Sequence, residues 1–543
     1  MCDRSNIIEG LPPIIPLPEV SFGEVIHQSF LQHEDEDVAL YDGYSKRKVT
    51  YYELIRQTCS LAEALRINRY DENSVIAICS QNNLQYFFPI ISAMYIGATV
   101  ALVNFDYTVE ELEGSLGISK PKVVFCSEAL VEKFYELKKK LIFIEKIIVI
   151  DSGDSTAKAV CLRDFIEESL DGAWTSTIAT TPVDIREHVA FIMNSSGTTG
   201  LPKGVMLTHN NMNTLYAHFK DPRIHDQESV TLCVAPFFHA YGLCTTITGL
   251  MIYGSVVVFK EFEVQTFLKA VETYKIKRLF VVPPLVVFLS KSELVEEYNL
   301  SSIKEIISAA APLKESTERE IKKRLNLNLI RQAYGLTETT FAVVYSGREE
   351  EKWKPGSSGK VTPYMKFAIR DIDTGEFLGP YESGEVCIKG EMVMKGYYNN
   401  PEATKHTFTD DGWFLTGDVG YYDNEYNFYI TDRIKELIKF NGFQVPPAEL
   451  EALLLSHTEI RDCGVVGLPD ERSGELPVAF VVRKDGSSLK EIEVQDFVRR
   501  RISQNKWLRG GVIFVDEIPK TASGKILRRK LRILAQEVLM GKK

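Results

Sequence analysis

Nine cysteines in 543 residues are too few and too scattered to organise a fold. Cys2, Cys59, Cys79, Cys126, Cys161, Cys233, Cys244, Cys387 and Cys463 include no Cys-x-x-Cys pair. This excludes a zinc ribbon, a thioredoxin-type redox centre and a disulfide scaffold, and reduced, mostly buried thiols in an intracellular compartment are expected. Positive charge is also short. Lys and Arg number 63 against 74 Asp and Glu, a net charge of −11, which argues against nucleic acid as a main partner because a phosphate backbone requires a basic face. Long apolar runs are interrupted. Residues 86–105 have the length of a membrane span, but Pro89, Gly97 and Asn104 break them, so a buried helix running into a buried strand is predicted and no transmembrane segment. The first six residues lack the basic-then-apolar build of a secretory signal. Met540-Gly541-Lys542-Lys543 is not a Ser-Lys-Leu-type peroxisomal address, so a cytoplasmic location is expected over a peroxisomal one. Internal repeats and low-complexity segments are absent. A chain of this length exceeds one compact core, and two or more domains in a monomer are expected.

The most informative segment present is Ser195-Ser196-Gly197-Thr198-Thr199-Gly200-Leu201-Pro202-Lys203-Gly204. Glycines let backbone amides approach a polyanion, hydroxyls add donors and the lysine adds a point charge, which together make a phosphate cradle. The apolar run 189–193 before it reads as a buried strand. The common P-loop requires Ser or Thr after Gly-Lys. Here Gly204 and Val205 follow Lys203, which excludes a simple Walker-type site.

Helical and strand patterns alternate over residues 47–210, with a helix at 50–65 and strands at 74–79 and 122–126, as in a mainly parallel doubly wound sheet. A polar connector at 172–182 precedes the cradle. A second cycle places strands at 231–235, 255–259, 278–282 and 305–308, between helices. After about residue 340 the strands become short and turn-rich, predicting a β-rich module over 341–434. Beyond it a small α+β unit is expected at 435–543, where Pro447 opens a helix presenting Leu450, Leu453 and Leu454 on one face. Strands are predicted at 478–482 and 513–515. A second helix carries Val494, Phe497, Val498 and Ile502.

Four more segments carry chemistry-bearing residues. In Tyr334-Gly335-Leu336-Thr337-Glu338-Thr339-Thr340, a carboxylate flanked by hydroxyls suits Mg²⁺ beside phosphates, or a helix cap. Asp418, read as following a tight turn after Trp413-Phe414-Leu415-Thr416-Gly417, is placed to accept ribose hydroxyls or to make an Asx-turn. The run from Asp432 and Arg433 to Lys439, with Asn441-Gly442 after Phe440, reads as a charged strand and a hairpin turn. Pro519-Lys520-Thr521-Ala522-Ser523-Gly524-Lys525 alone reads as an exposed basic loop.

Taken in order and spacing, these five segments resemble the adenylate-forming family of acyl-CoA synthetases, 4-coumarate–CoA ligases and beetle luciferases, over about residues 25–530. The likeness is closest to the insect luciferase-like branch, through Ser301-Ser302-Ile303, Gln332, Asn399-Asn400-Pro401-Glu402-Ala403-Thr404 and Leu508-Arg509-Gly510-Gly511-Val512. The resemblance implies a large α/β AMP-binding domain (1–434) and a small, rotating C-terminal domain hinged near Lys435. It implies activation of a carboxylic acid by ATP and Mg²⁺ to an acyl-adenylate, followed by transfer to coenzyme A. On it, Ser195, Ser196, Gly197, Thr198, Thr199, Gly200 and Lys203 would hold the β- and γ-phosphates. Thr337 would contact the α-phosphate and Glu338 would bind Mg²⁺. Ala333, Tyr334 and Gly335 would line the adenine slot, and Asp418 and Arg433 would hold the ribose. Lys525 would bridge carboxylate and α-phosphate, while Lys439 and Gly442 would face the site after rotation. His239, in Pro236-Phe237-Phe238-His239-Ala240-Tyr241-Gly242, stands where the family places an aromatic or histidine gate, and would orient the acid rather than act as a base.

The acid itself is to be read from the pocket. Related luciferases carry serine where this chain has Phe341, arginine where it has Leu215, and at least one glycine across Ser308-Ala309-Ala310-Ala311-Pro312. All three departures make the expected pocket more apolar or narrower, and Tyr241 would also line it. Losing a polar anchor for a buried heteroatom costs about 1–3 kcal/mol. An alkyl chain loses nothing by it and gains about 0.8 kcal/mol per buried CH₂. A medium- or long-chain fatty acid is therefore expected, with luciferin or a 4-coumarate-type acid as the alternatives. A catalytically silent binding protein is disfavoured because Lys203, Glu338, Asp418, Arg433 and Lys525 are all retained.

Overall fold

The computed structural model describes residues 6–195, 203–225, 230–311, 313, 315–327, 329–346, 354–434, 436–440, 443–470, 472–502, 504–520 and 526–540. The fold is α/β, with a large N-terminal part and a small C-terminal α+β part. The predicted helix at 50–65 forms as Tyr51–Ile67 because Thr50 and Glu53 cap it reciprocally (Glu53 N to Thr50 Oγ1 3.2 Å, Thr50 N to Glu53 Oε2 2.9 Å) and Leu54, Leu61 and Leu65 recur on one buried face. The interrupted apolar run resolves as expected into the buried helix Phe87–Tyr95 and the buried strand Thr99–Leu102, with Gly97 at φ 75° turning the chain between them. Among the described residues no helix is long and apolar enough to cross a membrane. The eight described cysteines are free and buried.

The strands Thr99–Leu102, Val75–Cys79, Val123–Cys126, Lys146–Val149 and Val160–Cys161 pair in parallel. Val189–Ser195 joins this sheet in parallel beside Thr99–Leu102. Lys203–Thr208 then pairs antiparallel with Val189–Ser195, setting Lys203 opposite Ser195, so the two ends of the cradle segment stand side by side. The second cycle, read above as one run, divides between two sheets. Thr231–Cys233 pairs in parallel with Val256–Val258, which pairs in parallel with the N-terminal strand Val38–Asp42. Arg278–Val281, Glu305–Ser308 and Leu329–Gly335 form the parallel part of the other sheet. The change of character expected at 341 falls inside that sheet, because Ala342–Tyr345 folds back antiparallel on Leu329–Gly335. Short strands near a boundary are claimed by whichever edge offers unpaired amides, and periodicity does not report which edge that is.

The β-rich part is an antiparallel sheet of Met365–Arg370, Gly384–Gly390, Phe414–Tyr422 and Phe428–Arg433, with Ile8–Glu9 added at one edge. After Arg433 the strands enter a different sheet, in which Ile460–Asp470 and Gly474–Arg483 pair antiparallel and Val512–Phe514 pairs in parallel with the latter. Pro447–Leu455 buries Leu450 and Leu454 fully, while Leu453 lies at its margin. The second C-terminal helix, Glu491–Arg499, ends before Ile502.

Candidate nucleotide and acid site

A cavity of about 950 Å³ opens where the sheets converge, at the upper end of the roughly 300–1,000 Å³ spanned by small-ligand sites. Ser195 and Lys203, at the two ends of the cradle segment, lie on its wall with Gly335, Thr337, Glu338 and Arg433. His239, Tyr241, Ala309, Ala310 and Phe341 line the same cavity on its apolar side. Ser196, Gly197, Thr198, Thr199, Gly200, Lys435, Gly442 and Lys525 lie outside the described residues. Lys439 is exposed on the C-terminal part and does not line the cavity. Its amide donates to Glu475 Oε2 at 2.8 Å.

Glu338 sits in the short 3₁₀ turn Thr337–Thr339. Its Oε1 accepts from the Tyr397 hydroxyl at 3.1 Å, and the Lys203 ammonium lies 4.6 Å from the centre of the Tyr397 ring. Tyr397 thus couples the lysine to the carboxylate, a role without a sequence signal because the strand Gly396–Tyr397 arrives by pairing with Lys203–Thr208. Enclosure pushes the Glu338 carboxyl above its ordinary value. Among the described residues no three His, Cys, Asp or Glu side chains gather as a protein-only metal cage. A single carboxylate beside a phosphate-binding wall suits Mg²⁺, which keeps waters and phosphate oxygens as its other ligands.

Asp418 does not follow a tight turn. It lies within the strand Phe414–Tyr422, at a bulge where Gly417 takes φ 70° and the pairing slips between Glu385 and Cys387. Such a bulge re-aims a side chain. Asp418 is nearly fully buried. Oδ1 accepts from Arg433 Nε at 2.9 Å and Oδ2 from the Tyr334 hydroxyl at 2.7 Å. Asp418 and Arg433 are direct cross-strand partners, so two motifs fifteen residues apart in sequence become one charge-paired unit. Burial opposes the Arg433 charge, but Asp418 together with Tyr334, Glu436 and Glu338 outweighs it, raising the guanidinium pKa. Of this unit only Arg433 lies on the cavity wall, with Asp418 and Tyr334 behind it. Ala333 is buried in the strand Leu329–Gly335 and does not line the cavity. A side chain at Gly335 would meet the Phe341 carbonyl oxygen at 2.1 Å, so only glycine permits the chain to double back there.

Three residues after Glu338, Phe341 is buried and faces the apolar side. Thr340 between them holds φ 65°, an outlying conformation for a β-branched residue, and its hydroxyl donates to the Met392 carbonyl at 2.7 Å. Phe341 stacks on Tyr241 with centroids 5.8 Å apart. Leu215, expected at the pocket, is fully buried in the helix His209–Lys220 and does not line the cavity. Ala310 occupies φ 73°, the left-handed region that favours glycine. His239 packs on Phe238 with centroids 4.3 Å apart, and enclosure holds its pKa down to about 4. Its imidazole is therefore neutral at physiological pH. Lys520, which the sequence offered only as part of a basic loop, also lines the cavity, while its ammonium pairs with Asp462 at 2.6 Å.

Residues 27–398 match the AMP-binding enzyme family and residues 449–525 the AMP-binding enzyme C-terminal domain. Luciferin 4-monooxygenase of Photuris pensylvanica is 43% identical over 536 residues, covering 98% of each chain. 4-coumarate-CoA ligase 1 of Narcissus pseudonarcissus is 36% identical, covering 98% of this chain and 96% of its own. The structure superposes on ATP-bound MatB from Rhodopseudomonas palustris with a TM-score of 0.86 at 25% identity, covering 95% of this chain and 99% of that one. Full-length similarity to luciferases and CoA ligases, on one fold, places the chain in the adenylate-forming AMP-binding enzyme family.

Proposed function

We propose that the protein is an acid–thiol ligase that adenylates a medium- or long-chain fatty acid and transfers the acyl group to coenzyme A. The observation that carries this reading is the single cavity joining Ser195, Lys203, Thr337, Glu338 and Arg433 to the aromatic wall of Tyr241 and Phe341. A carboxylate oxygen attacks the α-phosphorus of ATP, the α–β P–O bond breaks and pyrophosphate leaves with the electron pair. The coenzyme A sulfur then attacks the acyl carbon, AMP leaves as the anion and the thiol proton passes to solvent. The first step brings two anions together, so fixed cations and oriented donors must offset charge as it builds.

Lys203 and residues 195–200 hold the β- and γ-phosphates, and Thr337 binds the α-phosphate. Ala333, Tyr334 and Gly335 form the adenine side, Ala333 from behind the wall. Asp418 and Arg433 take the ribose hydroxyls, using lone pairs and N–H groups left over from their mutual pair. Glu338 would hold Mg²⁺, which would neutralise phosphate charge when bound. Lys525 bridges the reacting carboxylate and α-phosphate. His239, neutral and enclosed, gates and orients the acid.

The chain divides into residues 1–434 and 435–543, hinged at Lys435. Rotation of the second unit replaces Lys525 by Lys439 and Gly442 for the thiol step. The change of sheet after Arg433 supports this division.

Phe341 supports an alkyl substrate, since it fills the apolar side with a ring that offers no hydrogen bond. A second reading, luciferin adenylation followed by oxidation with O₂ and light emission, is favoured by the 43% identity to a luciferin 4-monooxygenase. Pyrophosphate release from ATP and Mg²⁺ with a panel of fatty acids tests the first reading, and release with none of them overturns it. Luciferin in the same assay tests the second. Bright emission would displace the fatty acid as the substrate.

A further inference from the structure

The large and small parts of the chain are joined by few directional contacts. At the hinge turn itself the Glu436 and Leu437 amides donate to the Arg433 carbonyl at 2.9 and 3.1 Å. Apart from that turn, one hydrogen bond among the described residues joins the residues before 435 to those after it. In it the Ala448 amide donates to Asp432 Oδ2 at 3.1 Å.

This bond has an unusual origin in the sequence. Asp432 is buried in the strand Phe428–Arg433 of the large part, three residues before Lys435. Ala448 is the second residue of the helix Pro447–Leu455 in the small part. Pro446 and Pro447 before it have no N–H, and the helix makes no side-chain cap of its own, so Ala448 carries the first amide the helix can offer. The Asp432 carboxylate therefore caps a helix of the other part and meets the positive end of its dipole. Burial pushes the Asp432 carboxyl up to about 6. It is ionised at neutral pH, at a cost that separation of the two parts relieves.

The same helix holds the arm that reaches the cavity. One turn on from Ala448, Glu451 Oε2 accepts from Arg528 Nη2 at 2.9 Å, and Arg528 Nη1 lies 3.4 Å from Glu436 Oε2, beside the hinge. Glu451 Oε1 accepts the Val465 amide at 2.8 Å, in the strand Ile460–Asp470, whose Asp462 pairs with Lys520 at 2.6 Å. Lys520 and Ile526 stand opposite each other. Both flanks of residues 521–525 are thus tied to the helix that Asp432 caps, and Lys520 lines the cavity.

We propose that Asp432 is a positioning residue for the adenylation step. Its carboxylate latches the helix Pro447–Leu455 in the orientation that brings Lys520 to the cavity wall, and the thiol step requires this contact to part. Asp432 does not line the cavity and acts through the helix. The inference rests on the two-step, hinged reading of the site and adds the residue that biases the hinge. Loss of a charged hydrogen bond shifts the balance between two orientations by about tenfold or more.

Measuring the two half-reactions separately tests the latch. Adenylation is followed by ATP–pyrophosphate exchange with palmitic acid, and thioester formation by coenzyme A with preformed palmitoyl-adenylate. Asp432→Ala removes the acceptor. Ala448→Pro removes the donor in the first turn of a helix, where proline is tolerated, and leaves the neighbourhood of Arg433 unaltered. The expected result is that kcat for exchange falls about tenfold in each variant, while thioester formation from the supplied adenylate stays within about twofold of the natural protein or rises. The double variant is expected to fall no further than the lower single one, because both changes remove one contact. Equal losses in the two half-reactions would make Asp432 a support of folding alone and overturn the latch. So would unchanged exchange in both variants, or a loss confined to thioester formation. A loss in Asp432→Ala alone, with a raised KM for ATP, would assign the effect to Arg433 and also overturn it. In each of these cases the natural protein still exchanges pyrophosphate and the adenylation reading stands. No exchange by the natural protein with any acid removes that reading itself, and the latch with it.

Discussion

The two sides of the cavity are held by different physics. On the phosphate and ribose side directional contacts hold the charged groups, with Arg433 on Asp418 at 2.9 Å, Tyr334 on Asp418 at 2.7 Å and Tyr397 on Glu338 at 3.1 Å. On the acyl side the contacts are ring faces and alkyl groups, with Phe341 on Tyr241 at 5.8 Å and no polar anchor for a distal group of the acid. Directional charged contacts concentrate their worth in single residues, whereas dispersion and burial spread it over many. The nucleotide side is therefore expected to be intolerant of single substitutions, and the acyl side to change preference without losing activity.

The largest effect expected on the polar side is from Lys525→Ala, which should lower adenylation about 10² to 10³-fold in pyrophosphate exchange while nucleotide binding is largely kept. Exchange at the natural rate would remove that lysine from the reaction. Next comes Arg433→Gln, which leaves the buried Asp418 carboxylate with the Tyr334 hydroxyl and loses a charged hydrogen bond, about 1.5–3 kcal/mol. The KM for ATP should rise about tenfold to a hundredfold, and the KM for the acid far less. A reversed pattern would dissolve the distinction between the two sides.

Phe341→Ser should act oppositely. It opens the stack against Tyr241, and the preference for palmitate over luciferin should fall by about tenfold while adenylation persists, one pocket group being worth about 1–3 kcal/mol of discrimination. Loss of all adenylation would mean that the aromatic wall is as indispensable as the charged one. The smallest effect is at His239. Its pKa, lowered to about 4 by burial, stays below the ordinary 6.5. Above about pH 7.5 the imidazole is neutral in folded and unfolded chains alike, so the pH profiles of the natural protein and His239→Gln should run parallel there. Below pH 6.5 the unfolded chain takes up a proton that the folded one refuses. The natural protein should therefore lose stability relative to the variant as pH falls from 6.5 toward 4, measured as a difference in denaturant midpoint. An activity inflection near pH 6.5 present only with His239 would restore it as an acid or base.

Legibility in the sequence followed the same line as the chemistry. The segment of Ser195 and Lys203 and that of Thr337 and Glu338 stand out in the sequence because each gathers unusual residues close together, glycines, hydroxyls and isolated charges within a few positions, whereas Asp418 and Arg433 are joined only by strand pairing. The burial of 86–105 was readable because Pro89, Gly97 and Asn104 contradict a membrane span. What escaped was whatever arrives by pairing from a distance. Tyr397 is one case and Lys520 another. The seating of Ala342–Tyr345 in the preceding sheet is a third. Asp418 was read at the right place for the wrong local reason, since a bulge and a tight turn both ask for Gly417. Leu215 was misplaced because its position along a helix does not say which face meets the cavity and which the core.

The sequence by itself determined the fold class, the two-part organisation and the adenylate-forming family, because backbone conformation and polyanion binding restrict residue type locally. Only the tertiary structure decided how the acyl side is walled. Phe219, Tyr241, Phe280 and Phe341 are distant in sequence and meet only through packing. An apolar side chain makes no directional bond that would announce its neighbour, so whether it closes a pocket, lines its exit or fills a core is settled by packing alone.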